Sequence, residues 1–405
     1  MSHNSPTINA QLIAQTKIKN GEIVYNFGLG ANPFPPNKIL LDKFKESCHL
    51  KNYTYPNGDD DLLEIIKIKY SSTNYKVNNI LVGNGLKELL FIIQMVFKGT
   101  IFHIYPAWVS YMEQTKLLNK KVVNIKTEFN NNCKLTPNLL ETTLHNYFNN
   151  INTQNDKILL LFNSPNNPTG VAYSDVELQQ LAKIINKYKD NIVVFSDEIY
   201  KNIMHAQNTE TSISTYVPNT ICGSSLSKEA ACGGWRMAWL TFPESLNYLY
   251  YDAFHAISTT YSCVSQPLIE VAKEYISNRE NEIYTRHMSN IFSQATIIVR
   301  DIIKKSSDIK IICANSAWYL FLCADNYADR LKTIGIISGK QLSERIINDI
   351  NVITVPGECF GYNGYYLRLS CIDFVIHSNT PLITPSFNKI KIGAQILAAW
   401  FNALI

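Results

Sequence analysis

One lysine stands between hydroxyl residues and an arginine in a short glycine-containing segment. Ser225 and Ser227 come just before Lys228, and Arg236 follows eight positions after it. A lysine that forms an imine must be partly neutral and held still, and an anionic ligand needs hydroxyl donors and a fixed cation. The spacing therefore indicates an imine-forming lysine beside a phosphate site formed by Ser225, Ser227 and Arg236. A surface lysine in a glycine-rich loop is the competing interpretation of this segment alone.

A second candidate anion site lies where a predicted strand turns into a helix. The turn at residues 83–85 contains two glycines, and the helix that follows presents free N–H groups and the positive end of its dipole. Glu88 stands where a dinucleotide-binding motif would have its third glycine. We therefore expect a cradle for a single phosphate, formed by Gly85 and Leu86 with Lys87 nearby. A plain helix cap is the alternative.

Polar and aromatic side chains follow the ends of predicted strands. Residues 157–162 are apolar from Ile158 onward, which is typical of a parallel strand covered on both faces, and residues 192–196 are predicted as another strand. Asn167 and Asp197 come after these strands, and Trp108 follows an earlier strand. Ligands of wound α/β sheets lie at the carboxyl ends of the strands, and an aromatic ring there can stack on a flat ligand. The pattern predicts right-handed parallel crossovers and a ligand site at this edge.

Four motifs occur in order along the chain: Asn-Pro-Thr-Gly at 167–170, Asp-x-x-Tyr at 197–200, Ser-x-Ser-Lys-x(7)-Arg at 225–236, and Arg-Leu-Ser at 368–370. Together they resemble the motifs of the class I/II aminotransferases, relatives of aspartate aminotransferase with the fold-type I architecture for pyridoxal 5'-phosphate (PLP). The resemblance runs from about Asn26 to the C-terminus.

The resemblance implies an α/β fold with two domains. The large domain would hold a mostly parallel, wound sheet of the seven-stranded type, and the small domain would also be α/β. We expect an arm and part of the small domain in residues 1–44, the PLP-binding domain in 45–285 and the small C-terminal domain in 286–405. A chain of 405 residues is long enough to bury a core in each domain.

The resemblance also implies roles for individual residues. Lys228 would hold PLP as an internal aldimine and then move a proton. Asp197 would pair with the pyridine nitrogen and make the ring an electron sink. Tyr200 would donate to the phenolic oxygen of the cofactor, and Asn167 would bond that oxygen and help to hold the substrate. Arg368 would bind the α-carboxylate of the substrate in a bidentate manner, with two hydrogen bonds from its guanidinium group.

Further positions follow from the same resemblance. Trp108 would stack on the pyridine ring. The N-terminal loop would lie over the substrate, with the family's glycine matched by either Gly30 or Ala31. In a homodimer, Tyr53 would reach the phosphate of the partner subunit, and Tyr55 is the competing candidate.

These residues predict an aminotransferase that moves the amino group of an L-amino acid to a 2-oxo acid. A PLP-dependent lyase of the β-elimination type would use the same site. A non-catalytic protein with this fold is a further alternative, although such regulators usually carry a fused DNA-binding domain that is not visible here. A nicotinamide-linked dehydrogenase is disfavoured by the missing third glycine.

The composition of the chain indicates its cellular compartment and disfavours some classes of binding partner. The chain has no apolar run of about 18 residues and a polar N-terminus, which favours a cytoplasmic protein without a membrane segment. Nine cysteines without a Cys-x-x-Cys pair fit reduced thiols. The net charge of +4 comes from scattered lysines, which argues against nucleic-acid binding. The histidines have no metal-ligand spacing, so we expect no metal.

Overall fold

The computed structural model describes residues 6–49, 59–205, 211–376 and 385–404. Within those ranges, none of the helices combines the length and the apolar character that crossing a membrane requires. The helices are α1 (Pro6–Lys19), α2 (Lys38–Ser47), α3 (Asp60–Tyr70), α4 (Leu86–Val96), α5 (Val109–Leu117), α6 (Pro137–Phe148), α7 (Asp175–Ile185), α8 (Asn247–Thr260), α9 (Gln266–Ser277), α10 (Arg279–Ser306), α11 (Ala328–Thr333), α12 (Gly339–Ile350) and α13 (Asn388–Asn402).

The strands form three sheets. They are β1 (Tyr25–Asn26), β2 (Asn79–Gly83), β3 (Thr100–Tyr105), β4 (Val122–Lys126), β5 (Ile158–Asn163), β6 (Ile192–Asp197), β7 (Thr220–Ser225), β8 (Ala238–Phe242), β9 (Lys310–Ile311), β10 (Tyr319–Cys323), β11 (Val352–Ile353), β12 (Val355–Pro356) and β13 (Tyr366–Ser370). The apolar runs predicted as strands are β5 and β6, with boundaries that differ by one residue.

The largest sheet has seven strands in the order β2-β8-β7-β6-β5-β3-β4. Strands β7, β6, β5, β3 and β4 are parallel, whereas β8 runs antiparallel to both β2 and β7. This mostly parallel, wound sheet confirms the predicted architecture of the large domain. Its topology brings the carboxyl ends of β5, β6 and β7 to one edge.

The central strands are buried along their whole length because helices cover both faces of the sheet. Along β5, Leu159 and Leu161 pack in one core with Leu89 of α4. Leu160 of the same strand packs on the opposite face with Leu178 of α7. All six residues of β5 are buried, as expected for a parallel strand between two helical layers. The buried strands therefore hold the polar residues at and after their ends in fixed positions.

A smaller, antiparallel sheet has the order β12-β13-β10-β9, and β1 pairs with β11 in a separate parallel ribbon. The long helix α10 packs against α13 beside the smaller sheet. Because Tyr25 of β1 pairs with Val352 of β11, the N-terminal segment joins the C-terminal part of the chain. The exact domain boundaries, at residues 44 and 285, stay predictions.

Candidate active site

A cavity of about 480 Å³ lies at the carboxyl edge of the seven-stranded sheet. The structure brings most of the predicted site residues together around it: Gly30, Ala31, Leu86, Lys87, Trp108, Asn167, Asp197, Tyr200, Ser227, Lys228, Arg236 and Arg368. Gly85 and Ser225 lie directly beside these residues. Tyr53 and Tyr55 lie outside the described residues.

Lys228 follows the end of β7, and its environment favours a neutral amine. Its Nζ donates a hydrogen bond to the carbonyl of Gly30, and its own carbonyl accepts one from Asn32 Nδ2 at 2.7 Å. Burial lowers the pKa of Lys228 to about 8, and the positive charge of Arg368 acts in the same direction. The amine is therefore partly neutral near physiological pH, which imine formation requires.

Asp197 is a buried carboxylate at the end of β6, where it is 4 % exposed. Tyr111 donates its hydroxyl to Oδ2 at 2.5 Å, and the Ile199 N–H donates to Oδ1 at 3.2 Å. Burial raises the pKa of Asp197 to about 6, while these two donors oppose that rise. The carboxylate is thus held in one orientation toward the cavity. Sequence reasoning missed Tyr111, which lies in the first turn of the helix after Trp108.

The anion cradle forms where Arg236 reaches the start of α4. Gly85 has a φ of +99°, and a Cβ there would lie 1.9 Å from Arg236 Nη2, so only glycine leaves room for the guanidinium. The Glu88 N–H bonds the Gly85 carbonyl at 3.1 Å, but no side chain caps the N-terminus of α4, so the N–H groups of Leu86 and Lys87 remain available to an anion. Nearby, Ser225 Oγ accepts a hydrogen bond from the Ser227 N–H at 3.1 Å. Hydroxyls, free N–H groups and a guanidinium meet here, which is the donor set that a phosphate needs.

Lys87 adds a second cation next to this cradle. Its Nζ lies 5.1 Å from the ring centroid of Trp108. Burial lowers the pKa of Lys87, and the neighbouring charge of Arg236 lowers it further. The Trp108 ring makes an edge contact with Tyr111, with ring centroids 5.6 Å apart. This contact fixes one edge of an aromatic surface that lines the cavity.

Arg368 is a buried cation whose partners are neutral. It is 1 % exposed on β13. Its Nη2 donates to the Gly28 carbonyl at 2.7 Å, and its Nη1 donates to Asn167 Oδ1 at 3.2 Å. The guanidinium carbon lies 4.9 Å from the ring centroid of Tyr319 and 5.2 Å from that of Phe360. Among the described residues no carboxylate pairs with Arg368 and its Nε has no partner, so the guanidinium is suited to an anionic ligand.

Two tyrosines connect the sheet edge to the smaller sheet. The hydroxyls of Tyr200 and Tyr319 are 2.7 Å apart. A Cβ at Gly30 would lie 3.0 Å from the Tyr319 hydroxyl and 3.8 Å from Arg368 Nη1. A side chain at Gly30 would therefore crowd the Tyr319 hydroxyl, and Ala31 also lines the cavity. Sequence reasoning missed Tyr319, because its partner Tyr200 is far away in the chain.

Comparison with known proteins identifies the family. The family model described as aminotransferase class I and II matches residues 22–373. The chain belongs to the class I and II aminotransferases. A similar relative is the aspartate aminotransferase of Bacillus sp. (strain YM-2), which is 25 % identical over 88 % of this chain and 90 % of its own. Another is a probable aspartate/prephenate aminotransferase of Aquifex aeolicus, which is 27 % identical over 91 % of this chain and 92 % of its own.

Solved structures share the fold of this aminotransferase. The aspartate aminotransferase from Thermus thermophilus with maleate has a TM-score of 0.82 at 19 % identity, covering 98 % of this chain and 96 % of its own. The enzyme from Rhizobium meliloti has a TM-score of 0.84 at 18 % identity, with the same coverage of both chains. The predicted family, fold class, aminotransferase activity and PLP cofactor are thereby confirmed.

The residues of this aminotransferase fit its cofactor. The Gly85–Arg236 cradle suits a phosphate, Trp108 offers an aromatic face, and Asp197 offers a buried carboxylate to a ring nitrogen. Lys228 supplies an amine that burial keeps partly neutral. These groups therefore match the three parts of PLP: the cradle matches its phosphate, Trp108 and Asp197 match its ring, and Lys228 matches its aldehyde. The roles of the individual residues stay predictions.

Proposed function

We propose that this aminotransferase moves the amino group of an L-amino acid to a 2-oxo acid in the 480 Å³ cavity. The observation that carries the proposal is the presence of a partly neutral amine and a buried guanidinium in the same cavity. Lys228 has a pKa lowered to about 8, and Arg368 is 1 % exposed without a carboxylate partner among the described residues. Lys228 supplies a reactive amine, and Arg368 supplies a receptor for a carboxylate.

The cofactor would be held by three groups of residues. Its phosphate would be bound by the Gly85 and Leu86 segment, Lys87, Ser225, Ser227 and Arg236. Trp108 and Asp197 would hold the ring, while Tyr200 and Asn167 would bind its phenolic oxygen. When bound, PLP supplies an electron sink that stabilises negative charge at the α-carbon of the substrate. A buried Asp197 carboxylate maintains this property because it favours a protonated ring nitrogen.

Arg368 would orient the substrate. Its planar guanidinium can grip an α-carboxylate through two parallel hydrogen bonds. The Asn167 amide and the Gly28 carbonyl hold this guanidinium from behind, at 3.2 and 2.7 Å. A carboxylate fixed in this way sets the direction of the bond between the α-carbon and its hydrogen, and such positioning lowers the barrier of the following step.

Lys228 would move the proton. Its Nζ would take the α-proton of the bound substrate as a general base and deliver it, as a general acid, to the other end of the 1,3 shift that transfer of the amino group requires. A pKa of about 8 suits both directions near neutral pH, because both protonation states are then populated. The same residues would serve a β-elimination lyase. The relatives named as aspartate and aspartate/prephenate aminotransferases support transfer instead, and make aspartate the first donor to test.

An absorbance spectrum followed by an amino-donor screen tests the proposal. The purified protein should show a visible absorption band from its bound cofactor. Adding an amino donor without an acceptor should replace that band by the stable pyridoxamine form, and adding a 2-oxo acid should restore it. Release of ammonia with each turnover, without the pyridoxamine form, would overturn transfer in favour of elimination.

We also propose a cytoplasmic, two-fold homodimer in which Tyr53 completes the site of the partner. Helix α8 supports this, because three of its aromatic residues at three-residue spacing are at least half exposed: Tyr248 at 53 %, Tyr251 at 62 % and Phe254 at 50 %. Such an aromatic stripe suits a surface that a second copy covers.

Mixing two inactive variants tests the shared site. Lys228→Ala and Tyr53→Ala are unfolded together in equal amounts and refolded. Half of the dimers are then mixed, and each mixed dimer has one intact site, so about a quarter of wild-type activity should return. Activity equal to the average of the two parents would reject the shared role of Tyr53. Tyr55→Ala in place of Tyr53→Ala tests the competing tyrosine.

A further inference from the structure

A second cavity, of about 280 Å³, lies behind the candidate active site. Three charged side chains that line it each directly follow a residue that would take part in catalysis. They are Glu198 after Asp197, Lys201 after Tyr200, and Glu229 after Lys228. The chain thus presents alternate side chains to two cavities, one for the reaction and one for a buried charged cluster. The proposed chemistry does not use this cluster.

Glu229 accepts three hydrogen bonds within the cluster. It is 2 % exposed. Its Oε1 accepts from the Asn202 N–H at 3.0 Å, and its Oε2 accepts from Asn202 Nδ2 at 2.8 Å and from the Tyr275 hydroxyl at 3.0 Å. Burial raises the pKa of Glu229, whereas these donors and the charge of Lys201 oppose the rise. A buried carboxylate with three donors forms a rigid connection, because loss of any partner leaves a polar group unpaired.

The backbone beside the lysine is held from both sides. The Lys228 carbonyl accepts from Asn32 Nδ2 at 2.7 Å, and the Glu229 carbonyl accepts from Thr285 Oγ1 at 3.1 Å. Asn32 belongs to the N-terminal loop and Thr285 to α10, and the Glu229 side chain is bound to Asn202 in the turn after Tyr200. The segment that contains Lys228 and Glu229 is therefore held by three separate parts of the chain. The direction in which the Lys228 side chain leaves the backbone is therefore determined by its neighbours.

The same turn is fixed by an ion pair. Lys201 Nζ donates to Glu198 Oε2 at 2.7 Å, and Ser196 Oγ donates to Glu198 Oε1 at 3.0 Å. The Glu198 N–H bonds the Gly223 carbonyl of β7 at 3.0 Å. Asn202, which holds Glu229, thus belongs to a turn that is itself anchored to the strand that leads to Lys228. The cluster closes a loop of contacts between the turn at 197–202 and the lysine segment.

We propose that Glu229 is the positioning residue for Lys228, fixing the lysine segment to the turn that carries Asp197 and Tyr200. The inference rests on the proposed role of Lys228. Glu229 points away from the active-site cavity and would not touch the substrate. Its carboxylate acts through Asn202 and Tyr275, and it keeps the Lys228 amine inside the protein and aligned with Tyr200.

Two effects should follow when the hydrogen bonds from Asn202 and Tyr275 to the Glu229 carboxylate are weakened. The Lys228 amine gains access to water, so its pKa should rise from about 8 toward the ordinary value of a lysine. The charged groups that face the amine are Arg368, Asp197, Lys87 and Arg236, and the substitution changes none of them. Turnover should also fall because the base is displaced, while binding of the substrate carboxylate at Arg368 is unchanged.

Glu229→Gln is the variant of choice. It keeps the size of the side chain but places an NH₂ group where Asn202 and Tyr275 present donors. The pKa of Lys228 is measured in the full-length protein, freed of cofactor, from the pH dependence of acetylation at Lys228 by acetic anhydride with mass spectrometry. We expect a higher pKa than in the wild type. In the loaded enzyme, kcat should fall about tenfold with KM changed less than twofold.

Glu358→Gln is the matched control. Like Glu229, Glu358 accepts several hydrogen bonds: its Oε1 accepts from the backbone N–H groups of Gly339 at 2.7 Å and Lys340 at 3.3 Å, at the start of α12. This variant should lower the melting temperature without changing the pKa of Lys228. If Glu229→Gln fails to fold, Tyr275→Phe removes one of the three donors and should move the pKa in the same direction by less.

A lower melting temperature with an unchanged acetylation profile and unchanged kcat would overturn the inference, because Glu229 would then be only structural. Glu229→Ala opens space toward the second cavity, of about 280 Å³. Formate should partly restore the kcat of this variant, whereas chloride at the same concentration should not. No restoration by formate would count against the inference. The acetylation assay uses no cofactor, so it separates failure of this inference from failure of the proposed function.

Discussion

The floor and the cover of the active-site cavity are built in different ways. The floor comes from the seven-stranded sheet, where Asp197 ends one buried strand and Lys228 follows the end of the next. The cover comes from the N-terminal loop and the smaller sheet, where Gly30 and Arg368 meet because β1 pairs with β11 and β13 pairs with β10. The floor offers groups that suit a cofactor, and the cover offers a cation that suits a substrate carboxylate.

The floor and the cover also differ in the partners that surround their buried charged side chains. On the floor, Asp197 receives hydrogen bonds from Tyr111 and from the Ile199 N–H, so its carboxylate is already satisfied. In the cover, Arg368 has two neutral oxygen acceptors and two aromatic faces. The floor is therefore preorganised by its own bonds, whereas the cover keeps a cation with unused donor capacity. Substitutions in the two regions should consequently fail in different ways.

The largest effect is expected on the floor, at Asp197. Asp197→Asn removes the negative charge that would keep the ring nitrogen protonated, so kcat should fall about a thousandfold. Folding should be retained, because the amide can still accept from Tyr111. Steady-state kinetics and a melting curve measure both effects. Glu113→Gln, on the exposed face of α5, is the control, and near-normal turnover in Asp197→Asn would make Asp197 purely structural.

A smaller effect, selective for substrate, is expected in the cover. Arg368→Lys keeps the charge but loses the planar fork, so kcat/KM with amino acids should fall about a hundredfold. Amines that lack the α-carboxylate should lose proportionally less. Arg345→Lys is the control, because Arg345 pairs with Asp349 on the surface. Equal losses with both kinds of substrate would remove Arg368 from the carboxylate site.

The pH dependence of cofactor uptake tests the environment of Lys228. Burial and the charge of Arg368 disfavour the protonated amine, so the neutral, reactive form is present at lower pH than for an ordinary lysine. With a pKa of about 8, the neutral fraction rises about fiftyfold between pH 6 and pH 8. The rate of uptake by cofactor-free protein, followed by absorbance, should rise with pH and level off above pH 8. A rate that keeps rising to pH 10 would contradict the lowered pKa.

The smallest effect is expected where floor and cover touch. Tyr319→Phe removes the hydroxyl that lies 2.7 Å from that of Tyr200. Because one hydrogen bond is lost and the Tyr200 hydroxyl remains, kcat should fall by less than about tenfold. Tyr365→Phe, which loses a bond to the Ile336 carbonyl away from the cavity, is the control. A loss as large as that of Asp197→Asn would mean that Tyr319 itself takes part in the chemistry.

The sequence predicted the floor better than the cover. Asn167 and Asp197 were predictable because they come at or after the ends of apolar strands, and parallel strands align their carboxyl ends at one edge. Lys228 was predictable from the spacing of Ser225, Ser227 and Arg236 around it. Tyr111 was missed, although it lies in the helix that begins directly after Trp108. Its bond to Asp197 depends on how that helix packs, which no local pattern encodes.

The cover depends on contacts between distant parts of the chain. Arg368 was predicted from its motif, but its aromatic neighbours Tyr319 and Phe360 were not, because they come from separate strands and turns. Gly30 and Ala31 both line the cavity, so the choice between them stays a prediction, and the close approach of the Tyr319 hydroxyl to Gly30 is a contact that no local pattern encodes. Local patterns predict the residue types, whereas packing determines which of them meet.

The most direct test of the central claim is to locate the cofactor's covalent attachment. The loaded protein is reduced with borohydride, digested, and its labelled peptides are mapped by mass spectrometry. We predict a single pyridoxyl-labelled site at Lys228. Lys87 is the informative competitor, because it also lines the cavity and its pKa is also lowered by burial. Label on Lys87, or on any lysine other than Lys228, would contradict the account.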